Sequence, residues 1–207
     1  MPQQKYRLPD PYHRLLETNQ QFLRSKTGRG GQKALQQKGD RQMLKYANYD
    51  IVFQEVPDEV TLAINISNCP NQCMGCHSKY LWEDRGEALN KESLDKLVNQ
   101  YRTGITCVCF MGGDNDPYEV ANLAMYVKNK YKDMKTAWYS GKNELPEAFH
   151  VETFDYIKTG RYEEKLGALD SLTTNQRMIK RLADGRVKDI TSRFQKVQNG
   201  KLKTESI

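Results

Sequence analysis

Three of the chain's five cysteines fall within eight residues: Cys69, Cys73 and Cys76 in "NCPNQCMGCHSKYLW" (68–82). Thiols this close in sequence, and odd in number, argue for metal or free thiols rather than disulfides where no oxidising compartment is implied. A structural zinc needs four closed ligands. His77 is the nearest candidate for the fourth, but it adjoins Cys76 and can hardly complete the same tetrahedron. Cys107 and Cys109 alternate within the apolar run "ITCVCFM" and read as small core residues. A 4Fe–4S cluster suits three closely spaced thiolates better, because the protein can hold three irons and leave the fourth open. On the thiols alone, structural zinc or coincidence stands as the alternative.

The elements that must position these thiols alternate between strands and helices. "VTLAINIS" (60–67) is β-branched and apolar, like a buried parallel strand, and the cysteine loop comes directly after it. A helix is predicted from an Asn90 cap through Leu94, Leu97, Val98 and Tyr101, stopping at Gly104. Strand 105–111 leads into "GGDND". A second helix has Asp116 as cap and Pro117 at its first position, with a stripe of Val120, Leu123, Ala124, Val127 and Tyr131. Strands 135–140 and 153–160 come next. Residues 176–194 read as a hairpin whose turn, Asp184-Gly185, supplies two residues with φ > 0. This alternation implies right-handed crossovers and a parallel sheet. A complete eight-fold barrel takes about 250 residues, more than 43–207 provides. The expected fold is therefore α/β, a partial (β/α) barrel with a C-terminal β-hairpin.

In that layout the cysteine loop, Gly112-Gly113-Asp114, Ser140-Gly141 and Lys158-Thr159-Gly160-Arg161 each come after a parallel strand. Barrels and open α/β sheets place their chemistry at the carboxyl ends of strands, so all four loops fall on the chemical edge.

Composition narrows the function classes. No apolar run approaches the roughly 20 residues that span a bilayer, and the start has no continuous apolar stretch of a secretory leader. The expected location is cytoplasmic. The net charge of +6 is carried by the ends: residues 1–42 hold 9 Lys/Arg against 3 Asp/Glu, so 43–207 sum to zero. That distribution argues against a broad nucleic-acid face and for solvated tails. Residues 1–42 are rich in Gln, Lys and Arg and bury too little apolar surface to offset their ordering entropy. They read as a flexible basic extension, with translation expected to begin at Met43. Residues 43–196 read as the folded domain and 197–207 as a disordered tail.

Cys-x3-Cys-x2-Cys after the first strand resembles the signature of radical S-adenosylmethionine enzymes. "CPNQCMGCHSKYLW", "MGGD" and "TNQR" (174–177) together resemble the anaerobic ribonucleoside-triphosphate reductase-activating proteins, a family of glycyl-radical activases; the resemblance spans about 44–196. It implies a cluster held by Cys69, Cys73 and Cys76, with the methionyl group of S-adenosyl-L-methionine on the open iron. In that family an electron from the reduced cluster cleaves the sulfonium, and the resulting radical takes hydrogen from a glycine of the partner reductase. It also implies that Gly75 and His77 lie beside Cys76 against the cluster and adenine. Gly112 and Gly113 would contact the methionyl group, and Asp114 would accept from its ammonium. Asp116 competes for that role but is assigned to the helix cap. Ser140 and Gly141 could meet the ribose or methionyl carboxylate, and a loop boundary explains them equally well. Expected partners are the reductase's glycyl-radical loop and flavodoxin or ferredoxin as electron donor. Activation of another glycyl-radical enzyme and small-molecule radical chemistry are the rival readings.

Overall fold

The computed structural model describes residues 43–146, 149, 151–195, 197–198 and 201–202. The expected extension 1–42 lies outside them, as does most of the tail; within the tail Val197–Gln198 pairs antiparallel with Lys201–Leu202. The chain divides into two compact units, Gln42–Leu145 with His150–Ile207, and Met1–Arg41 with Pro146–Phe149. The sheet and both helices belong to the first unit.

Its strands are β1 (Lys45–Val52), β2 (Thr61–Ile66), β3 (Glu87–Ala88), β4 (Cys107–Met111), β5 (Lys135–Tyr139), β6 (Tyr156–Thr159), β7 (Arg177–Arg181) and β8 (Val187–Asp189). They form one sheet in the order β3-β1-β2-β4-β5-β6-β7-β8. β2, β4, β5 and β6 are parallel, as their apolar runs require, and β1, β3, β7 and β8 are antiparallel to their neighbours. The sheet is thus mixed. The outer strands are less buried than the four parallel ones, as antiparallel strands with a wet face are.

Register sorts side chains by size. Thr61 and Ala63 on β2 lie beside Cys107 and Cys109 on β4, and Cys109 lies beside Ala137 on β5. These small residues share one face, where Cys107, Cys109 and Ala137 pack with Tyr156, Met178 and Ile190. Leu62, Ile64, Val108, Phe110 and Trp138 alternate to the other face. Cys107 and Cys109 are fully buried, and burial pushes both thiols up.

Helix α1 (Lys91–Tyr101) begins with a capping box: Asn90 Oδ1 accepts from Glu92 and Ser93 N–H, and Ser93 Oγ accepts from Asn90 N–H at 2.9 Å. Helix α2 (Pro117–Lys130) begins with Asp116, whose Oδ1 accepts the Glu119 N–H at 3.0 Å. The assignment of Asp116 to a cap rather than to chemistry matches this bond. Asp95 on α1 accepts from Tyr126 (2.7 Å) and Lys130 (2.6 Å) on α2 and from Tyr131 just beyond it (2.8 Å), tying the helices together.

Two local expectations need correction. The fourth parallel strand begins at Tyr156 rather than 153, because Val151–Thr153 closes a 3-10 turn in which Phe154 N–H donates to Val151 O. In the β7–β8 hairpin only Gly185 has positive φ, +82°. Asp184 keeps ordinary φ because its carboxylate accepts the Arg186 N–H (3.0 Å) and Nε (2.6 Å). Leu182 N–H donates to Arg186 O, so the loop is a three-residue turn with glycine in the left-handed position. At the opposite side of the sheet, the Asp50 carboxylate on β1 accepts the N–H of Ile51 at 2.8 Å. Among the described residues no helix is long and apolar enough to cross a membrane.

Candidate metal centre

The cysteine loop leaves the carboxyl end of β2 and is held by main-chain bonds, both within itself and to residues 81–83. Asn68 N–H donates to Glu83 O, Cys69 N–H to Leu81 O, and Cys76 N–H to Cys73 O. Asn68 (φ 59°) and Gln72 (φ 43°) occupy the left-handed region without being glycine, a strain of order 1–3 kcal/mol each that clusters at functional sites. Ser78 N–H donates to Cys76 Sγ at 3.4 Å, and against the burial that raises it the main chain at Asn71 and Gln72 pulls the Cys69 thiol's pKa down. Cys69 and Cys76 are half-buried, Cys73 is buried, and all three are free thiols. Burial pushes the Cys69 thiol up, and the Asp114 carboxylate adds to that.

Donor chemistry and spacing fit an iron–sulfur cluster. Among the described residues no three of His, Cys, Asp and Glu converge tightly enough to hold a single ion, as a zinc with Zn–S near 2.3 Å would need. A cubane gives each thiolate its own iron, so its sulfurs stand farther apart, and N–H groups aimed at them are a normal part of such sites.

Asp114 joins the cysteine loop to the sheet. Its Oδ2 accepts from Asn71 Nδ2 at 2.6 Å and from Gly141 N–H at 2.8 Å; its Oδ1 accepts from Ser140 Oγ at 2.5 Å. One carboxylate therefore ties the segment between Cys69 and Cys73 to the ends of both β4 and β5. A Cβ at Gly141 would lie 2.3 Å from Asn71 Nδ2, so a side chain there would push Asn71 away from Asp114. Gly112 and Gly113, with φ of 100° and 84°, carry the chain out of β4 so that Asp114 faces these donors. A carboxylate offers about four acceptor positions; three are filled, and one on Oδ1 is left.

Lys158, at the end of β6, is 9% exposed. Its ammonium donates to Gly160 O at 2.8 Å, and the charges that act on it are those of Asp114 and Cys73. Burial lowers its pKa from 10.5 to about 8, against those two, which raise it. The folded protein therefore binds this proton less tightly than the unfolded chain does, and between pH 8 and 10.5 the unfolded chain carries more protons. Stability from this group rises with pH across that window. In cluster-free protein the stability of wild type relative to Lys158→Met is expected to increase by on the order of 3 kcal/mol from pH 7.5 to 10.5. Urea unfolding of both proteins at the two pH values measures it, and an unchanged difference would contradict a buried ammonium.

Gly75 lies against the segment after β6. Its φ of 76° favours glycine, and a Cβ would meet Tyr162 Cε1 at 3.1 Å and Glu164 at 3.5 Å. The His77 ring packs edge-on against Tyr162, with centroids 5.8 Å apart. Gly75 and His77 thus seat the loop against the segment after β6. Thr159 on β6 pairs with Arg177 on β7, which brings "TNQR" to the same edge. Asn175 Nδ2 donates to Arg161 O and Arg177 Nη1 to Thr174 O and Gln176 O, so both side chains brace the surrounding loops. Sequence reasoning placed Lys158 on this edge but did not foresee its burial within β6, and it missed the parts played by Asn71 and Tyr162, which are ordinary loop residues.

Comparison with known proteins agrees with the geometry. The family described as "4Fe-4S single cluster domain" matches residues 60–179, from the start of β2 into β7. No curated protein and no solved structure matches the chain. With more than half its length matched, the chain belongs to the 4Fe–4S single-cluster domain family and is an iron–sulfur protein.

Proposed function

We propose that the protein is a radical S-adenosylmethionine enzyme that activates anaerobic ribonucleoside-triphosphate reductase by generating a glycyl radical on it. The observation that carries this reading is the Asn71–Asp114–Ser140–Gly141 network, which gathers the cysteine loop and the ends of β4 and β5 at one sheet edge. Cys69, Cys73 and Cys76 would hold the cluster, which supplies the electron for cleaving S-adenosyl-L-methionine. Gly112 and Gly113 offer close main-chain approach, and Asp114 retains one acceptor position for the methionyl ammonium. Cys76, with Gly75 and His77, shapes the side towards Tyr162. The sheet as a partial (β/α) barrel belongs to the same proposal, supported by the sequential order of its four parallel strands. A short sheet with an open edge suits a protein substrate, since a glycine loop permits close backbone approach. A cytoplasmic setting with flavodoxin or ferredoxin as donor fits this chemistry.

Anaerobically reconstituted protein should hold about four irons and four sulfides, and S-adenosylmethionine should alter the EPR spectrum of the reduced cluster. A stable glycyl doublet is expected only when the reductase and a low-potential donor are both present, and it should vanish when the reductase glycine is replaced. Rapid turnover of a small molecule without a protein partner would overturn this assignment.

A further inference from the structure

The geometry points to Lys158, a lysine buried at the end of β6 on the sheet edge that carries the cysteine loop, as a residue whose positive charge raises the cluster's reduction potential. The inference rests on Cys73 as a cluster ligand, and not on S-adenosylmethionine chemistry.

The ammonium is nine-tenths buried and has one hydrogen-bond acceptor, Gly160 O at 2.8 Å. An ammonium has three donors. Burying a cation with so little compensation costs several kcal/mol in real proteins unless a counter-charge is supplied. In the cluster-free chain the negative groups whose charge acts on it are Asp114 and Cys73. Asp114 already accepts from Asn71, Ser140 and Gly141. That leaves the Cys73 side, where the cysteine is itself buried.

Three thiolates on a 4Fe–4S core leave a net negative charge, and one-electron reduction adds another. A cation close by stabilises the more negative state, so it raises the potential; net charge and solvent exposure are what set these potentials. The main chain holds the cation in place. Lys158 O accepts the Ser140 N–H at 2.8 Å, and Lys158 lies beside Tyr139 in the β5–β6 register and Met178 in the β6–β7 register. The residue is therefore fixed by strands on both sides, unlike a surface lysine.

The test is a redox titration of the reconstituted cluster, with dithionite supplying one electron per cluster and no S-adenosylmethionine present. Wild type, Lys158→Met and Lys158→Arg are compared, with EPR reading the reduced fraction and iron and sulfide analysis reading the load. Lys158→Met should show at least a ten-fold lower ratio of reduced to oxidised cluster at fixed poise. That is a midpoint shift of about 59 mV to more negative potential for a one-electron couple. Lys158→Arg should stay close to wild type. Lys158→Met failing to load iron while Lys158→Arg loads fully would equally support the charge. Equal shifts in both variants, loss of cluster from both, or an unchanged potential in fully loaded Lys158→Met would overturn the inference. Failure of Cys73→Ala to lose iron would instead remove the ligand assignment, so the two failures are distinguishable.

Discussion

Cys69→Ala, Cys73→Ala and Cys76→Ala are each expected to abolish stable cluster binding, while Cys107→Ala and Cys109→Ala keep it. Each loop thiol would ligate a different iron, and none of the three has a spare thiol beside it to take over. The loop is also built around sulfur: Ser78 N–H donates to Cys76 Sγ, and alanine at Cys76 would leave that amide without its acceptor. The strand thiols are in the opposite situation. Burial keeps both strongly protonated, and Cys109 Sγ sits 3.4 Å from Met111 Sδ in the sheet interior. Their removal should cost about 1 kcal/mol of stability, an ordinary small-residue effect. Iron and sulfide counts after anaerobic reconstitution, with circular dichroism to verify folding, check the whole set. Iron loss in a folded Cys107→Ala or Cys109→Ala protein would overturn the assignment.

The next largest effect should come from Asp114→Ala. The substitution strands the donors of Asn71, Ser140 and Gly141 together. Hydrogen bonds to a charged group contribute about 1.5–3 kcal/mol each, and a half-exposed carboxylate belongs at the low end. The cluster-free protein should lose roughly 3 kcal/mol, read from urea unfolding. The cysteine loop would also lose its tie to β4 and β5, so reconstituted protein should release iron faster to a chelator. Asp114→Asn should fall between the two, since one amide oxygen still accepts while its NH2 faces donors. Unchanged stability and iron retention in Asp114→Ala would show that the network does not hold the loop. A loss confined to the S-adenosylmethionine response would mark Asp114 as a ligand contact only.

How far the sequence went depended on whether a signal was local. Both helices, their caps at Asn90 and Asp116, and the four parallel strands were legible because periodicity and capping act over a few neighbouring residues. The cysteine spacing was legible for the same reason. β1 and β3 were not recognised as strands of the sheet, since their place depends on long-range pairing with each other and with β2. The hairpin was foreseen but its turn was misread: an Asp-Gly pair favours two left-handed residues, and the Asp184 bonds to Arg186 outweighed that tendency. Asn71 was hidden because its partner lies 43 residues away; Lys158 was placed on the edge, but its burial was not legible. The packing of Gly75 against Tyr162 was not legible, because it joins segments far apart in the chain.

The sheet's margins limit how anything can attach to it. One margin ends in β8, three residues long with Lys188 and Asp189 exposed; the other ends in β3, only two residues long. Beyond β3 no described strand pairs with the rest of β1, and there the Asp50 carboxylate takes the Ile51 N–H. Short, charged or self-satisfied borders are how β-proteins discourage unwanted strand addition. A partner's extended segment is therefore poorly served by β-augmentation, in which main-chain bonds supply affinity. If the reductase is the partner, as proposed, its visiting loop would be read side chain to side chain, over the ends of the strands.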